Sequence, residues 1–570
     1  MSLATVLRSA PPAAPSGAHL SPAKKPEKKE ARAVAPAYVH LPSPPDEDEK
    51  YSYFGLHRRW PFVWLFVSQA VLIYAFIAVM THNSTTALGL ILLSFMVPPV
   101  LVNLWLRMRR HRVTLEGHIT LVEEWRRVHP DLPSVDVFVP CCGEDEDVLN
   151  NTFSHIRQLE WPGQLRVHVL DDAADAATAR LADLWGFEYV VRANRGEWKK
   201  AGNLINAFEQ TDGEFIAVFD ADFAPRADFL YETVPYMQNP QTGVVQTAQY
   251  FDVDDRVNEF ARFAGALQEL FFRWIQPSRD TCEAAICAGT NVVYRRKAVE
   301  AAGGFAKVPL GEDVHSGVKI WVANYRTRYV PLVLAKGLAP DTWNALTNQQ
   351  YRWCRSSMLL MASTFFRDAP FGIKQRICFW SAFLYYMSSA AMVLTSVLPT
   401  TIMLWFYPDE LTAKHYIAVA PALISTWFIF PMLARGWKPA MFRVAMINTM
   451  CHLLAVFDAL RNQVAAWVPT GAAGAPVKKK IGVPLRIAFI FRAWFVLSQL
   501  AVWSGVVRYV QGGHDLLMIW PLVALWGLQA YFLLPIAVRL KPTPKIGKVL
   551  GDALLQDVQA VAPRSSRSAA

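Results

Sequence analysis

The sequence predicts an α/β domain with a mainly parallel sheet, inserted in a multi-span α-helical membrane domain of about six transmembrane helices. Three observations predict it. Of 570 residues, 53% are hydrophobic and 18% charged, against roughly a quarter charged in an ordinary soluble domain. Long uncharged apolar runs flank a block of ordinary soluble composition at 113–376. Within that block, short β-branched runs alternate with segments long enough for helices, the pattern of a parallel sheet.

Residues 1–55 are rich in Ala, Pro, Ser and Lys and end in the charge run Asp46-Glu47-Asp48-Glu49-Lys50, so a disordered tail is expected. The tail lacks the long apolar core of a signal peptide, and the first membrane segment is expected to persist as an anchor. Two N-terminal transmembrane helices, at 60–80 and 85–106, fill 56–112; each exceeds the ~18 apolar residues that suggest a span. The C-terminal membrane region, 377–540, holds further runs at 377–407, 416–434, 487–507 and 516–538. Arg492 interrupts the third of these and is expected close to a membrane interface. Residues 440–467 are apolar but carry Arg443, Asp458 and Arg461, and are expected to form an amphipathic helix on the membrane surface. A flexible tail at 541–570 completes the chain.

The net charge of +10 would suit nucleic acid if it were spread over one soluble face. Instead, clusters at 58–59, 107–112, 478–480 and 539–548 adjoin the apolar runs and hold more than the whole excess. They fall on one side of a bilayer if both termini and the soluble block are cytoplasmic. The expected setting is therefore a multi-pass protein of the plasma or inner membrane, with lipid and not nucleic acid as its surroundings. The seven cysteines show no zinc spacing and read as reduced thiols.

In parallel α/β sheets ligands sit beyond the carboxyl ends of the strands. The runs 135–140, 165–170 and 215–219 are followed by Glu144 and Asp145, by Asp171 and Asp172, and by Asp220-Ala-Asp222. Paired carboxylates at such an edge can offer hard oxygen ligands to Mg²⁺ or Mn²⁺. No P-loop is present. Cations to face a phosphate come instead from Lys199-Lys200-Ala-Gly-Asn203 or from Gln349-x-x-Arg352-Trp353.

Asp171-Asp172, Lys200-Ala-Gly-Asn203, Asp220-Ala-Asp222, Glu312-Asp313 and Gln349-x-x-Arg352-Trp353 occur in the order and approximate spacing of processive family 2 glycosyltransferases. Over roughly residues 55–540 the chain resembles bacterial cellulose synthase catalytic subunits. The resemblance implies a GT-A-like catalytic domain at 113–376 and a membrane channel at 377–540. It assigns Glu144 and Asp171 to the uridine end of a UDP-sugar, with Asp172 beside them, Lys200 to the diphosphate, and Asp220 and Asp222 to a metal-bound nucleotide with Mg²⁺ or Mn²⁺. Asp313 becomes the general base, next to Glu312, and Gln349, Arg352 and Trp353 mark the channel entry. Trp353 then lies beneath the acceptor sugar and Arg352 near the diphosphate.

Some positions depart from the pattern. Gly311 stands where many relatives have Thr, which predicts a looser loop before the two carboxylates. Ile286-Cys-Ala-Gly-Thr290 replaces a Phe-Phe-Cys-Gly-Ser acceptor segment. Trp467-Val-Pro-Thr-Gly471 loosely resembles a gating loop, placed at 467–480. The chain after Val538 is too short for a cyclic-di-GMP-binding barrel, so no such regulation is expected through this chain. The resemblance implies processive, inverting synthesis of a β-linked, cellulose-like polysaccharide from UDP-sugar, with UDP-glucose as the expected donor, translocation of the growing polysaccharide acceptor, and export or envelope proteins as further partners. The alternatives are a non-processive transferase making a glycolipid, and a transporter or scaffold that only binds nucleotide.

Overall fold

A computed structural model of the protein describes residues 41–54, 60–80, 97, 112–128, 132–413, 421, 433–461 and 482–539. Its soluble part is built on a seven-stranded sheet. The strands are β1 (Val135–Cys141), β2 (Leu165–Asp171), β3 (Glu188–Val190), β4 (Phe215–Val218), β6 (Thr242–Gln246), β8 (Val292–Arg295) and β9 (Arg326–Tyr329), in the order β3-β2-β1-β4-β8-β6-β9. A small second sheet joins β5 (Phe223–Pro225), β10 (Ala335–Gly337) and β7 (Tyr250–Phe251).

All seven residues of β1 are buried, as expected for a central strand covered on both faces. It pairs in parallel with β2 and β4, and the register sets Cys141 beside Asp171 and Phe138 beside Val218. The acidic residues after these strands therefore emerge along one edge. β8 is antiparallel to β4 and β6, with Val292 opposite Val218. That reversal brings the segment just before β8, residues 286–291, to the same edge as Asp220.

Helices are α1 (Trp60–Met80), α2 (Leu115–Val128), α3 (Glu146–Ile156), α4 (Ala176–Trp185), α5 (Lys200–Gln210), α6 (Glu259–Glu269), α7 (Glu312–Val322), α8 (Trp343–Ala362), α9 (Ile373–Thr395), α10 (Leu398–Phe406), α11 (Met441–Leu460), α12 (Val483–Gln511) and α13 (Trp520–Arg539). Among the described residues four stretches, Ile373–Phe406, Met441–Leu460, Val483–Gln511 and Leu516–Val538, are long and apolar enough to cross a membrane. The expected spans 85–106 and 416–434 lie almost wholly outside the described residues, as do the 467–480 loop and the tail at 541–570.

One expectation needs correction. Residues 41–54, read as part of a disordered tail, pack on the α/β domain. Asp46 caps the short helix Glu47–Lys50, and Lys50, buried, binds Asp228 at 2.8 Å and Glu232 at 3.0 Å. The charge run is thus a structural strap at its end. The segment 440–467 contains α11, which packs against other helices: Ile447, Met450, Cys451 and Leu454 share one buried cluster with Tyr351, Cys354 and Phe491. Its charges are compensated internally: Arg443 Nε donates to the Phe532 carbonyl at 2.9 Å, and Asp458 is paired with Arg486. Arg492 likewise donates to the Ala537 carbonyl at 3.0 Å, in α13.

Candidate active site

α5 shows what each residue of Lys200-Ala-Gly-Asn203 does. Lys200 Nζ pairs with Asp220 and donates to the Gly289 carbonyl at 2.9 Å. Ala201 is fully buried under the sheet edge. At Gly202 a Cβ would fall 2.2 Å from Arg192 Nη1 and 2.2 Å from the Glu197 carbonyl, so only glycine lets the guanidinium pass. Asn203 donates to the Leu170 carbonyl at 2.9 Å and accepts from Arg192 Nε at 2.8 Å.

Arg192 in turn holds Asp172, at 2.9 Å from Nε and 2.8 Å from Nη2. The Gly196 amide adds a contact at 3.1 Å. Asp171 is also engaged: it accepts from the amides of Ala173 and Asp175 at 2.8 and 2.7 Å and from the Tyr189 hydroxyl at 2.8 Å. Both carboxylates thus shape the loop after β2. Glu144 turns back onto the Cys142 amide at 2.6 Å. Burial, reinforced by the charges of Asp171 and Asp220 and opposed by that amide, pushes its pKa up to about 7.

Asp220 and Asp222 leave the end of β4. The Asp220 amide donates to Thr290 Oγ1 at 2.9 Å. Burial and the charges of Asp220 and Glu144 raise the Asp222 carboxyl well above its ordinary range. Burial works against the Lys200 ammonium, yet Asp220, Glu312 and Asp313 outweigh it and raise its pKa.

Glu312 and Asp313 open α7, where the helix N-terminus favours negative charge. Gly311 before them is left-handed, at φ +69°, and a Cβ there would fall 1.6 Å from Ser356 Oγ on α8. The glycine therefore serves close helix packing, and the looser loop expected from it is not what its contacts describe. Asp313 Oδ1 accepts from the Val314 amide at 2.8 Å. Burial and then the Glu312 charge push its pKa up to about 7. Burial similarly raises Glu312.

α8 delivers the last group. Arg352 is drawn down to about 10 by burial, although Glu312, Asp220 and Asp222 all favour its charge. Gln349 is buried and Trp353 is half-buried on the same helix. The structure thus gathers Glu144, Lys200, Asp220, Asp222, Glu312, Asp313 and Arg352 into one electrostatic cluster, while Asp171 and Asp172 act from its rim. Among the described residues no group of three His, Cys, Asp or Glu converges as a ready-made ion site; Asp220 and Asp222 offer two carboxylates only.

Three participants carried no assigned role in the sequence reading. Gly289 supplies a carbonyl to Lys200, Arg192 secures Asp172, and buried Gln246 holds the 288–291 segment, accepting from the Ala288 amide at 2.7 Å and donating to the Thr290 carbonyl at 2.8 Å. The Cys-Ala-Gly-Thr segment was the available signal for the first. Nothing local marked the other two.

Residues 133–356 match the family described as glycosyltransferase like family 2. That stretch is thus similar to family 2 glycosyltransferases, and it is built on a mainly parallel α/β sheet. More particularly, the chain resembles bacterial cellulose synthase catalytic subunits. It is 29% identical over 374 residues to the UDP-forming subunit of Pseudomonas fluorescens (strain SBW25), covering 63% of this chain and 49% of that protein. It is 32% identical over 265 residues to that of Xanthomonas axonopodis pv. citri (strain 306), covering 45% and 36%. The matched part spans half or less of these relatives' length. Among solved structures, a mannosyltransferase from Pyrobaculum calidifontis in complex with GDP-Man and Mn²⁺ is 18% identical, covering 69% of this chain and 100% of that one, at a TM-score of 0.43.

Proposed function

We propose that the protein is a membrane-embedded, processive, inverting glycosyltransferase that makes a cellulose-like β-glucan from UDP-glucose and moves it across the bilayer. The observation that supports this reading is the joining of two cations, Lys200 and Arg352, with Asp220, Asp222, Glu312 and Asp313 in one partly buried cluster.

In this reading an acceptor hydroxyl attacks the anomeric carbon opposite the UDP, the bond to UDP breaks, and Asp313 takes the hydroxyl proton. A carboxylate with a pKa of about 7 is well matched to that task near neutral pH. Lys200 and Arg352 offset the charge gathering on the departing diphosphate, in a setting drier than bulk water. Glu144 and Asp171 serve the uridine end, with Asp172 beside them; Gln349 and Trp353 serve the acceptor, the indole offering a flat face to a pyranose.

The donor set fits a divalent cation. Asp222 is half-buried, and the like charges of Asp220 and Glu144 act on it, a repulsion that an added cation would relieve. Asp220 and Asp222 would hold Mg²⁺ or Mn²⁺, whose charge supports the diphosphate. The apolar helices suit a multi-pass membrane protein with the carboxylate cluster on the cytoplasmic side and the product leaving between the C-terminal helices.

The deciding experiment is UDP release by the purified protein in lipid nanodiscs across a panel of UDP-sugars, with sizing and linkage analysis of the product. Long β-linked glucan is expected, and none from Asp313→Asn. A product of one sugar on a lipid would replace processive synthesis with glycolipid formation.

A further inference from the structure

α8 shows different faces to two neighbours. On one, Arg352 lies within reach of the charges of Glu312, Asp220 and Asp222, and Ser356 closes on Gly311. On the other, Tyr351, Cys354 and Met358, spaced by three and four residues as one helical stripe, are buried in a single cluster with Ile447 and Leu454 of α11 and Ile487 of α12. The helix bearing Gln349-x-x-Arg352-Trp353 therefore bridges the carboxylate cluster and the apolar helices.

A carboxylate stands within that apolar contact. Asp458, in the last turn of α11, is 1% exposed. Its Oδ2 accepts from the Tyr351 hydroxyl at 2.7 Å and from Arg486 Nη1 at 2.8 Å, and its Oδ1 accepts from Arg486 Nη2 at 2.7 Å. Arg486 belongs to the first turn of α12. One side chain thus ties three helices, and Trp343 Nε1, donating to the Pro484 carbonyl at 3.1 Å, ties the start of α8 to the same turn.

Apolar contact is not directional and leaves a helix free to turn or slide by fractions of a turn at little cost. Charge-assisted hydrogen bonds, two of them in a forked Arg–carboxylate pair, fix direction as well as distance. A buried ion pair adds little stability over well-packed apolar groups, so the triad's contribution is to geometry. Tyr351 is the immediate neighbour of Arg352, and whatever fixes the one fixes the other.

We propose that Asp458 is a positioning residue: by holding the Tyr351 hydroxyl and the Arg486 guanidinium on one carboxylate, it sets the rotation and height of α8 and hence where Arg352 stands against the Asp220 and Glu312 carboxylates. The inference rests on the glycosyltransferase reading, in which Arg352 meets the diphosphate. A misplacement of about 1 Å at such a group can cost up to 100-fold in rate.

The test uses the full-length protein in nanodiscs, with UDP affinity read by calorimetry and turnover by UDP release. Tyr351→Phe removes one hydroxyl and no volume of note. It is expected to weaken UDP binding about threefold to tenfold and to lower kcat at least as much. Added to Arg352→Ala, it is expected to change UDP affinity no further, because the group through which it acts is gone. Arg486→Lys, which keeps the charge and loses the fork, should behave as Tyr351→Phe does. An equal loss in both backgrounds, or full UDP affinity and kcat in Tyr351→Phe and Arg486→Lys, would overturn the proposal. If the wild-type protein binds no UDP, the glycosyltransferase reading fails instead. Thermal unfolding then judges the tie alone: less-than-additive shifts for Tyr351→Phe and Arg486→Lys support the shared carboxylate, and additive shifts overturn it.

Discussion

Gly289 lies against Asp313. A Cβ at Gly289 would stand 2.9 Å from Asp313 Cβ and 3.2 Å from its Oδ2, and the Gly289 carbonyl receives Lys200 Nζ at 2.9 Å. With φ at +76° the residue is also left-handed, a conformation that costs a non-glycine residue ~1–3 kcal/mol. Gly289→Ala should therefore displace Asp313 and the Gly289 carbonyl that accepts from Lys200 together. The expected result is a fall in kcat of about 100-fold with the protein still folded, measured as UDP release alongside thermal unfolding. Turnover within twofold of wild type would show that Asp313 is not the group displaced.

The pH dependence follows from Asp313. Its pKa is held at about 7 by burial and by Glu312, and only the ionised form can take a proton. The rate should thus climb about tenfold per pH unit below that value and level off above it. Removing the neighbouring negative charge stabilises ionised Asp313, so Glu312→Gln should move the rising limb to lower pH. A limb that stays in place would detach the profile from this carboxylate pair.

Gly202→Ala tests the rim of the site. The new methyl would meet Arg192 Nη1 and the Glu197 carbonyl at 2.2 Å, so the guanidinium and the backbone at Glu197 must both shift. Asp172 and Asn203 then lose their shared donor. Loss of such a network is expected to cost about 2 kcal/mol of stability and to raise the donor KM more than it lowers kcat, because the disturbance falls at the nucleotide end. Urea unfolding and initial rates at varied donor concentration check both.

These residues show what was legible in the sequence and what was not. Asp171, Asp220 and Asp222 directly follow buried β-branched runs, and their place at one sheet edge follows from strand parallelism alone. Lys200 was legible through its order among the motifs. The Gly289 carbonyl was not, because its arrival beside Asp220 depends on β8 running against its neighbours, and strand direction leaves no mark on composition. Arg192 sits in a loop of ordinary polar sequence, and its partner lies 20 residues away. In α11 the partners of Arg443 and Asp458, the Phe532 carbonyl and Arg486, come from other helices and leave no local mark. Each miss concerns a polar group whose partner is distant in the chain, where local pattern carries no signal.

Lys50 is the sharpest such case, with a partner 182 residues away in Glu232. Its side chain is 4% exposed, and those of Asp228 and Glu232 are 20% and 7% exposed. Arg226 also serves Asp228, at 2.8 Å, and His118 serves Glu232, at 2.7 Å, so the lysine links two already structured carboxylates to the 41–54 strap. Lys50→Met should destabilise the domain by ~3–5 kcal/mol, because buried negative charge is left without its cation. Adding Glu232→Gln removes part of that charge and should recover some of the loss, although Glu232→Gln alone is destabilising. Urea unfolding of the two single variants and the double variant measures this coupling. A double variant whose loss equals the sum of the single losses would mean that Lys50 and Glu232 do not act on one another, and that the strap is held by its apolar contacts at Tyr53 instead.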